Sequence, residues 1–450
     1  MDNLIPGVSM ADYVGFYPEE LSGLKSSEEL LKALDSGSYG TSTSGGPLIG
    51  QSLENTVHIV TFDIRKHIPL FNKIVKQPAF ATIEEYNRLL SYGEGGAFFQ
   101  DGGIPRADDA QYERVAEKVK FMGCVGEVTG PMILAGRAKF GDILAQQVYN
   151  RTAFLLRKIE EALFFGNDGY DTLAFRGIIQ QIVSGATSDN IVDKRGQPLE
   201  LGDLEDGATV VADNYGFPTD MFMSIREKAS ISKLMYPTTR FNSPGQAAAA
   251  GVPIDKYAAA NGEFNLIGDV WLRPGAAPKS VADSLAPAGP AAPVCTVIAS
   301  VGSLLDQATY FYKVSSINSN GESLAIAGDT SITVSAVDKA GQLVITNVSG
   351  AKSYKVYRGT TATNMKFMVE QAATVGATTT IVDAGADIPG TSKAILLDSA
   401  EIALKQLLPV RKVDLARVAD STRWMQISYL TLVLYAPKRL VYYKNIGAAI

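Results

Sequence analysis

Residues 142–166 read DILAQQVYNRTAFLLRKIEEALFFG, and this stretch predicts one long helix around which the fold is organised. Its apolar residues recur every three or four positions, while charged residues such as Lys158 and Glu161 occupy the other faces. Asp142 suits the N-cap position, and Gly166 suits a stop just after the last turn. At about 1.5 Å per residue the helix would span roughly 37 Å. The simplest interpretation is the main core helix of a domain, and the flanking segments add to it.

The composition predicts a protein of more than one domain with a weakly acidic surface. The 450 residues exceed one ordinary domain, and a hydrophobic content of 46% suffices for sizeable cores. A net charge of −6 without any Lys/Arg cluster argues against tight sequence-specific nucleic-acid binding. Cys124 and Cys295 suggest no disulfide framework. With neither a signal-peptide pattern nor an apolar run of about 20 residues, we expect a soluble protein made inside the cell.

Upstream of the helix, the sequence predicts an arm followed by an extended two-stranded loop. Residues 1–55 have the composition of an arm, and Thr56–Ile64 is rich in strand-forming residues. Ala81–Leu90 suits either a strand or a helix, whereas Gln111–Met132 alternates as one long strand. A glycine-rich tip, Tyr92–Asp109, lies between them. Because a lone hairpin is marginal in water, we expect it to lie on its own domain or on a neighbouring subunit.

Downstream of the helix, the chain changes character twice. Residues 274–294 are rich in Ala and Pro, which is typical of a linker. Short β-rich runs such as Thr309–Ile317 and Ser353–Arg358 then alternate with Gly, Asn and Asp turns, a pattern that indicates a β-sandwich. Ile395–Val410 returns to a Leu-rich helical pattern. We therefore interpret the sandwich as an insertion whose two ends lie close together.

The sequence offers no recognisable catalytic or metal-binding pattern. The two histidines, His58 and His67, have no cysteine or acidic partner at a suitable spacing. Adjacent acidic pairs point to opposite faces of a strand, and the glycine-rich runs lack the Lys-Ser/Thr of a phosphate-binding loop. We therefore predict a protein that is not an enzyme and that holds no cofactor and no metal.

The order of these segments resembles that of the HK97-type major capsid proteins of tailed phages. No single piece is specific, but together they follow the family's order across most of the chain. The matching pieces are Glu113–Thr129 leaving the loop, the spine-like helix Asp142–Phe165, the turn Phe164–Asn167, and the later segments Pro218–Ser224, Ile225–Met235, Asn261–Gly275 and Arg423–Gly447.

This resemblance implies an α+β fold of the HK97-like capsid type, which has an N-terminal arm, an extended loop, a peripheral domain with a spine helix, and an axial domain. The short β-rich runs look like an inserted all-β domain of the immunoglobulin or fibronectin type III kind. The expected boundaries are 1–55 for the arm, 56–127 for the extended loop, 128–185 and 411–450 for the peripheral domain with its spine helix at 142–165, 186–290 and 394–410 for the axial domain, and 291–393 for the inserted Ig-like β-sandwich.

The implied function is that of a structural major capsid protein. Such a protein self-assembles through pentamers and hexamers into an icosahedral shell around double-stranded DNA, which it does not bind sequence-specifically. The resemblance also implies separate scaffolding, portal and decoration proteins, a location in the virion, and synthesis in the bacterial host cytoplasm. The candidate inter-subunit contacts are charged side chains of the loop, namely Glu84, Glu85, Arg106, Asp108, Arg114 and Lys118.

Other functions stay open from the sequence. A bacterial nanocompartment (encapsulin-like) shell protein shares this fold and would package cargo instead of DNA. A phage or bacterial surface adhesin built on the Ig-like domain belongs to a different class, as does an enzyme with a β-sandwich accessory domain. Particle formation, the content of the particle and hydrolytic activity are the observations that separate these functions.

Overall fold

The computed structural model of the chain describes residues 67–93, 97–104, 107–140, 142–235, 254–417 and 419–447, with the backbone alone at 136–140. All of them belong to one of the two units of the chain, residues 60–450. The predicted arm 1–55, the predicted strand Thr56–Ile64 and the candidate contact Arg106 lie outside the described residues.

The described residues form a mixed α+β structure in which strands predominate. The helices are α1 Pro69–Lys73, α2 Gly130–Phe140, α3 Ile143–Phe165, α4 Ile178–Gly185, α5 Leu201–Asp213 and α6 Ile225–Met235. The strands are β1 Val75–Pro78, β2 Ile83–Ser91, β3 Gln111–Lys118, β4 Lys120–Thr129, β5 Ile191–Asp193, β6 Asp220–Ser224, β7 Lys256–Ala259, β8 Gly262–Asp269, β9 Val294–Ala299, β10 Thr309–Asn318, β11 Gly321–Glu322, β12 Ile326–Ala327, β13 Ile332–Thr333, β14 Lys339–Thr346, β15 Ser353–Gly359, β16 Lys366–Ala372, β17 Thr378–Asp383, β18 Ser392–Leu397, β19 Ile402–Asp414, β20 Ser421–Leu434 and β21 Val441–Ile446.

Helix α3 confirms the long helix that the sequence predicts. The Asp142 side chain accepts a hydrogen bond from the Ala145 N–H at 3.2 Å and so caps the first turn. Gly166 ends the helix without a left-handed turn. A Cβ at this position would lie 2.5 Å from the carbonyl oxygen of Phe175, so the glycine permits a close approach between two backbone segments.

A four-stranded sheet in the order β1-β19-β20-β4 packs against α3. The apolar face of the helix, including Leu155 and Ile159, shares one core with Leu404 and Leu430 of the sheet. Gln426 of β20 adds a polar tie, because its side-chain amide donates to the carbonyl oxygen of Val148 at 2.9 Å and to the Thr152 hydroxyl at 2.8 Å. These contacts fix the sheet on the helix.

A six-stranded mixed sheet follows the order β5-β21-β18-β6-β8-β7. Its pairs β5–β21 and β6–β8 are parallel, and the others are antiparallel. Helices α5 and α6 contact this sheet, and the core between them includes Leu204, Met221, Met223 and Tyr443. The last two strands of the chain therefore belong to different sheets: β20 lies in the four-stranded sheet and β21 in the six-stranded sheet.

The prediction of one long strand at Gln111–Met132 is wrong. The segment divides at Val119, whose side chain is buried and whose N–H donates to the Thr82 carbonyl oxygen at 2.9 Å. Before this point β3 pairs with β2, and after it β4 pairs with β20. The two-stranded hairpin is therefore formed by β2 and β3, and β4 lies outside it, although the loop was expected to reach residue 127. The ambiguous stretch Ala81–Leu90 contributes a strand.

The helical prediction for Ile395–Val410 is also wrong, because this segment holds the end of β18 and the start of β19. The residues from Ala394 to Leu397 are all at most 2% exposed, so both faces of β18 are buried. A strand buried on both faces shows no alternation in its sequence and cannot be told from a buried helix by periodicity.

Strands β9 to β17 form two sheets that share one core. The smaller sheet has the order β17-β14-β9, and the larger has the path β11-β10-β15-β16, with β12 and β13 also paired to β10. Tyr312, Val356, Leu343 and Ile381 are among the residues buried between them. Cys295 is a buried free cysteine in this core. The segment is thus a two-layered β-structure held by apolar packing, while its Ig-like kinship and the domain boundaries remain predictions.

The stretch at 274–294, predicted as a linker, is ordered along the larger sheet. The Asp283 N–H donates to the Glu322 carbonyl oxygen at 3.0 Å, and the Glu322 N–H returns a bond to the Asp283 carboxylate at 2.9 Å. The Gly275 N–H donates to the Thr391 carbonyl oxygen at 3.3 Å. This last bond joins the start of the stretch to the residue before β18.

Candidate assembly surface

The hairpin of β2 and β3 is the element best suited to contact another molecule. Its strands pair antiparallel from Ile83↔Lys118 to Ser91↔Gln111, and among the described residues they form a sheet of two strands. Two strands alone bury too little apolar surface to be stable in water. The hairpin therefore depends on what it touches at its base and beyond its tip.

The base of the hairpin is anchored to the end of β20. The Tyr86 hydroxyl and the Arg88 guanidinium both donate to the Leu434 carbonyl oxygen, at 3.1 and 2.7 Å. The Tyr86 ring also meets Tyr435 edge-on, with ring centroids 5.3 Å apart. These contacts hold the base in one orientation.

Two ion pairs strengthen the same anchorage. Lys405 Nζ lies 3.1 Å from Glu84 Oε1, and both side chains are less than 20% exposed. Arg176 lies 3.2 Å from Glu117, which is almost fully buried. Burial raises the pKa of Glu117, and the Arg176 guanidinium opposes this effect. Arg176 thus offsets part of the cost of burying the Glu117 carboxylate, and the two pairs fix the position of the base.

The tip of the hairpin presents a cluster of exposed apolar side chains. We call Tyr92, Phe98, Phe99, Ile104 and Tyr112 the tip patch; their exposed fractions are 88%, 100%, 59%, 93% and 71%. Single exposed hydrophobic residues are ordinary on protein surfaces, but several within one hairpin are not. Such a cluster is typical of a surface that is covered by a partner.

The predicted contact residues divide into two groups. Glu84 is bound within the chain by Lys405. Glu85 faces Arg114 at 3.5 Å in an exposed cross-strand pair, and Lys118 is exposed at the end of β3. Asp108 is exposed beside the tip. The structure thus brings Glu85, Arg114, Asp108 and Lys118 onto one exposed hairpin, while it uses Glu84 to hold the hairpin's base.

Sequence reasoning missed the tip patch, although the pair Phe98-Phe99 inside a glycine-rich stretch was a visible signal. It also missed Glu160 of α3, which is fully buried and accepts the N–H groups of Leu70 and Phe71 at 2.9 and 2.8 Å. Burial raises the pKa of Glu160 to about 8, with Asp269 adding to the rise, and burial raises that of Asp269 to about 6. Glu160 therefore ties α1, at the entry to the hairpin, to the long helix.

Neither of these acidic groups belongs to a recognisable metal centre. Among the described residues, no group of three or more His, Cys, Asp or Glu side chains is placed to hold a metal ion. In the same part of the chain, no helix is both long and apolar enough to cross a membrane.

Comparisons with known proteins agree on one family. Residues 108–286 match the model of the SU10 major capsid protein family. The putative major capsid protein of Enterococcus phage phiEF24C is 24% identical over 453 residues, which cover 93% of this chain and 95% of the relative. The major capsid protein of Staphylococcus phage K is 24% identical over 455 residues with the same coverage.

Three solved structures are distantly similar to this chain. The capsid of the native GTA particle covers 92% of this chain and 99% of its own, at 9% identity and a TM-score of 0.48. The structure from Gordonia phage Cozz covers 92% and 97%, at 10% identity and a TM-score of 0.48. The SrpI encapsulin from Synechococcus elongatus covers 90% and 95%, at 8% identity and a TM-score of 0.44. Since these TM-scores are below 0.5, the assignment rests on the sequence matches.

The family match, the full-length relatives and the observed order of hairpin, long helix and two further sheets support the same assignment. They confirm the α+β fold and the resemblance on which the prediction was based. The chain is thus similar to phage major capsid proteins over nearly its whole length, and these similarities support a role as a structural subunit of a capsid shell.

Proposed function

We propose that copies of this chain assemble through pentamers and hexamers into an icosahedral shell that encloses double-stranded DNA, and that the chain has no catalytic role. The observation that carries the proposal is the tip patch, which lies on a hairpin whose described residues enclose no core of their own. A neighbouring copy that covers the patch would supply the missing partner surface. In the assembled shell, the hairpin then becomes part of an interface.

The energy available from the tip patch is sufficient for such a contact. Burying roughly 500 Å² of apolar surface contributes on the order of 12 kcal/mol before entropic costs. Exposed ion pairs add less than about 1 kcal/mol each, but they fix the register of the contact. We assign this second role to Glu85, Arg106, Asp108, Arg114 and Lys118, whereas Glu84 acts through the base of the hairpin.

The charge of the chain supports passive enclosure of the genome. A net charge of −6 without a Lys/Arg cluster does not favour phosphate binding, so the shell would enclose DNA without reading its sequence. We further propose that the β9–β17 segment is an exposed Ig-like decoration. Separate scaffolding, portal and decoration proteins would complete the particle, which is made in the bacterial host cytoplasm and ends as the virion.

The experiment is assembly of the purified full-length chain, alone and with the scaffolding protein of its phage, followed by light scattering and negative-stain electron microscopy. We expect closed shells or rings from the wild-type chain. We expect the double variant Phe98→Ser/Phe99→Ser to keep the melting temperature of the wild type and to remain as monomers or small oligomers. The reason is that the exposed aromatic side chains that drive association are lost.

The matched control is Val301→Ser, since Val301 is 95% exposed but lies in the β9–β17 segment. It should assemble like the wild type. A wild-type chain that stays monomeric at high concentration with scaffold would contradict the shell function. Shells of normal size from the double variant would contradict the role of the tip patch.

A further inference from the structure

Strands β9–β17 form a body of their own within the chain. The residues buried inside this segment, among them Tyr312 and Leu343, belong to one core cluster. In the part of the chain that the structure describes, this cluster shares no residue with the other cores. In the same part, no strand of the segment packs extensively against a helix or strand outside it. The segment is therefore attached to the rest of the chain through its connecting stretches and through polar contacts.

The return of the chain from β17 to β18 is pinned to the six-stranded sheet by Asn445 of β21. The Asn445 side chain donates to the Ala386 carbonyl oxygen and to Asp193 Oδ1, both at 2.8 Å, and it accepts the Ile388 N–H at 2.9 Å. Asn445 is 4% exposed, and a buried amide whose donors and acceptor are all in use holds its neighbours firmly. We call residues 385–391 together with Asn445 the pivot.

The outgoing connection passes beside the pivot. The Gly275 N–H donates to the Thr391 carbonyl oxygen at 3.3 Å, next to Gly390, whose φ of 75° suits glycine. One residue later the stretch already bonds to the segment, since the Phe367 N–H donates to the Ala276 carbonyl oxygen at 2.9 Å. The chain thus enters and leaves the segment at neighbouring positions, which is the arrangement of a hinge.

Away from the pivot, the segment touches the turn that follows α3. The Ser319 hydroxyl donates to the Asp171 carboxylate at 2.6 Å, in an exposed contact that we call the resting contact. The Tyr312 hydroxyl donates to Asp383, just before the pivot, so most of β10 separates the two places. At about 3.3 Å per residue this distance is roughly 20 Å. One exposed hydrogen bond at the end of such an arm contributes little and opens easily.

Charged groups also face each other between the segment and α3. Burial lowers the pKa of Lys355 of β15, yet the carboxylates around it outweigh burial and leave the pKa raised. The strongest of them are Glu322 and Glu370 within the segment, and Glu161 of α3 adds to them. Glu161 also acts on Glu370, whose charge is of the same sign, so the net attraction is small. Salt screens interactions of this kind.

We infer that the β9–β17 segment is a hinged body, which swings about the pivot and is held against the end of α3 by the resting contact and the charges beside it. Small polar interfaces between parts of one chain permit relative motion. The hinge lets the segment reorient while the four-stranded and six-stranded sheets keep their shape. This inference goes beyond the proposed shell function and does not depend on it.

The test compares two substitutions in one turn. Ser319→Asp places a carboxylate against Asp171 and should open the resting contact, whereas Asn320→Asp adds the same charge one residue away and is the matched control. Small-angle X-ray scattering of the unassembled full-length chain measures the radius of gyration, which should be larger for Ser319→Asp. The wild-type chain should approach this larger value when NaCl is raised from about 0.05 to about 0.5 M, because screening weakens the charges.

Hydrogen exchange distinguishes swinging from unfolding. The amides of β10, β15 and residues 385–391 should exchange equally slowly in the wild type, Ser319→Asp and Asn320→Asp, since the body and the pivot stay intact. Asn445→Gly removes the pin but suits the φ of 54° at this position. It should speed the exchange of residues 385–391 by about threefold or more, because the Ile388 N–H loses its acceptor.

Two results would overturn the inference. The first is an equal radius of gyration for Ser319→Asp, Asn320→Asp and the wild type at both salt concentrations, which would mean that the segment is fixed. The second is faster exchange at residues 385–391 in Ser319→Asp, because the opening would then be local unfolding. Neither result bears on the shell function, which fails if the wild-type chain does not assemble.

Discussion

The hairpin of β2 and β3 and the β9–β17 segment are both strand-rich excursions, yet they are stabilised in opposite ways. The β9–β17 segment encloses its own core, in which Tyr312, Val314, Leu343 and Val356 are at most 1% exposed. The hairpin, in its described residues, has a single layer and exposes large side chains at the tip. The β9–β17 segment therefore has a core to stabilise it, whereas the hairpin depends on contacts outside itself.

The charged pairs of the β9–β17 segment and of the hairpin also differ in how far they are buried. In the β9–β17 segment, the Arg358 guanidinium donates to Asp383 at 2.5 and 2.7 Å, and both side chains are at most 7% exposed. In the hairpin, Glu85 and Arg114 are more than half exposed and 3.5 Å apart. The β9–β17 segment thus buries this pair in its own interior, whereas the hairpin leaves the Glu85–Arg114 pair exposed and buries charged groups only at its base.

The largest effect on the folding of the chain is expected from Asp383→Ala. The substitution removes the partner of a buried guanidinium and of the Tyr312 hydroxyl, which donates to Asp383 at 2.9 Å. Breaking a buried pair in this way costs roughly 3–5 kcal/mol in free energy of unfolding. Urea unfolding followed by tyrosine fluorescence would measure the loss.

The matched control is Glu85→Ala in the hairpin, which removes one side of an exposed pair and should cost less than about 1 kcal/mol. Equal losses for the two variants would contradict the contrast drawn between the regions. A loss of stability in Asp383→Ala but not in Glu85→Ala would support the contrast. Hydrogen exchange should then show faster exchange of the amides within β9–β17.

A pH-dependent effect on stability is expected from Glu160, which binds α1 just before the hairpin. The folded-state pKa of Glu160 is about 8, above the ordinary value of 4.5, mainly because of burial and next because of Asp269, while Lys76 opposes the rise. The folded chain therefore binds this proton more tightly than the unfolded chain. The contribution of protonated Glu160 to stability is therefore fully present below about pH 4.5 and is lost as the pH rises through about 8, by an amount on the order of a few kcal/mol.

Free energies of unfolding at pH 5, 7 and 9 would test this prediction. Glu160→Gln should flatten the dependence, while Glu161→Gln is the control because Glu161 pairs with Lys158 at the surface of the same helix. Asp269, with a pKa raised to about 6, should leave a weaker residual slope at lower pH. An unchanged slope in Glu160→Gln would assign the dependence to other groups.

The sequence predicted those parts of the fold whose period reflects one buried face. Helix α3 was predicted within a residue of its bounds, because one side of it is apolar. The segment Ile395–Val410 was wrongly predicted as a helix, since β18 is buried on both faces and its sequence shows no alternation of apolar and polar residues. Gln111–Met132 was wrongly predicted as one strand for another reason. Its alternation of apolar and charged residues continues through Val119, where the chain passes from one sheet to another. Only tertiary contacts reveal that division.

The candidate surface was predicted in part for similar reasons. The sequence placed charged residues on an extended loop, and the hairpin carries them. It could not show that Glu84 is bound by Lys405, because that pair joins positions remote in the chain. Nor could it show that Phe98 is fully exposed, since exposure depends on what the rest of the fold places above the hairpin.

The smallest effect on global stability is expected at the anchor of the hairpin's base. A variant there tests whether the hairpin depends on its contacts with the rest of the chain. Arg88→Ala removes a 2.7 Å hydrogen bond to the Leu434 carbonyl oxygen and the guanidinium packed over the Tyr86 ring. Global stability should fall by only about 1 kcal/mol. Hydrogen exchange across residues 83–91 and 111–118 should nonetheless rise clearly, because a two-stranded sheet has no core to resist local opening. Arg114→Ala, which lies on the same hairpin but away from the anchor, should leave this exchange nearly unchanged. If both variants leave it unchanged, the hairpin is stable by itself and needs no neighbour to order it.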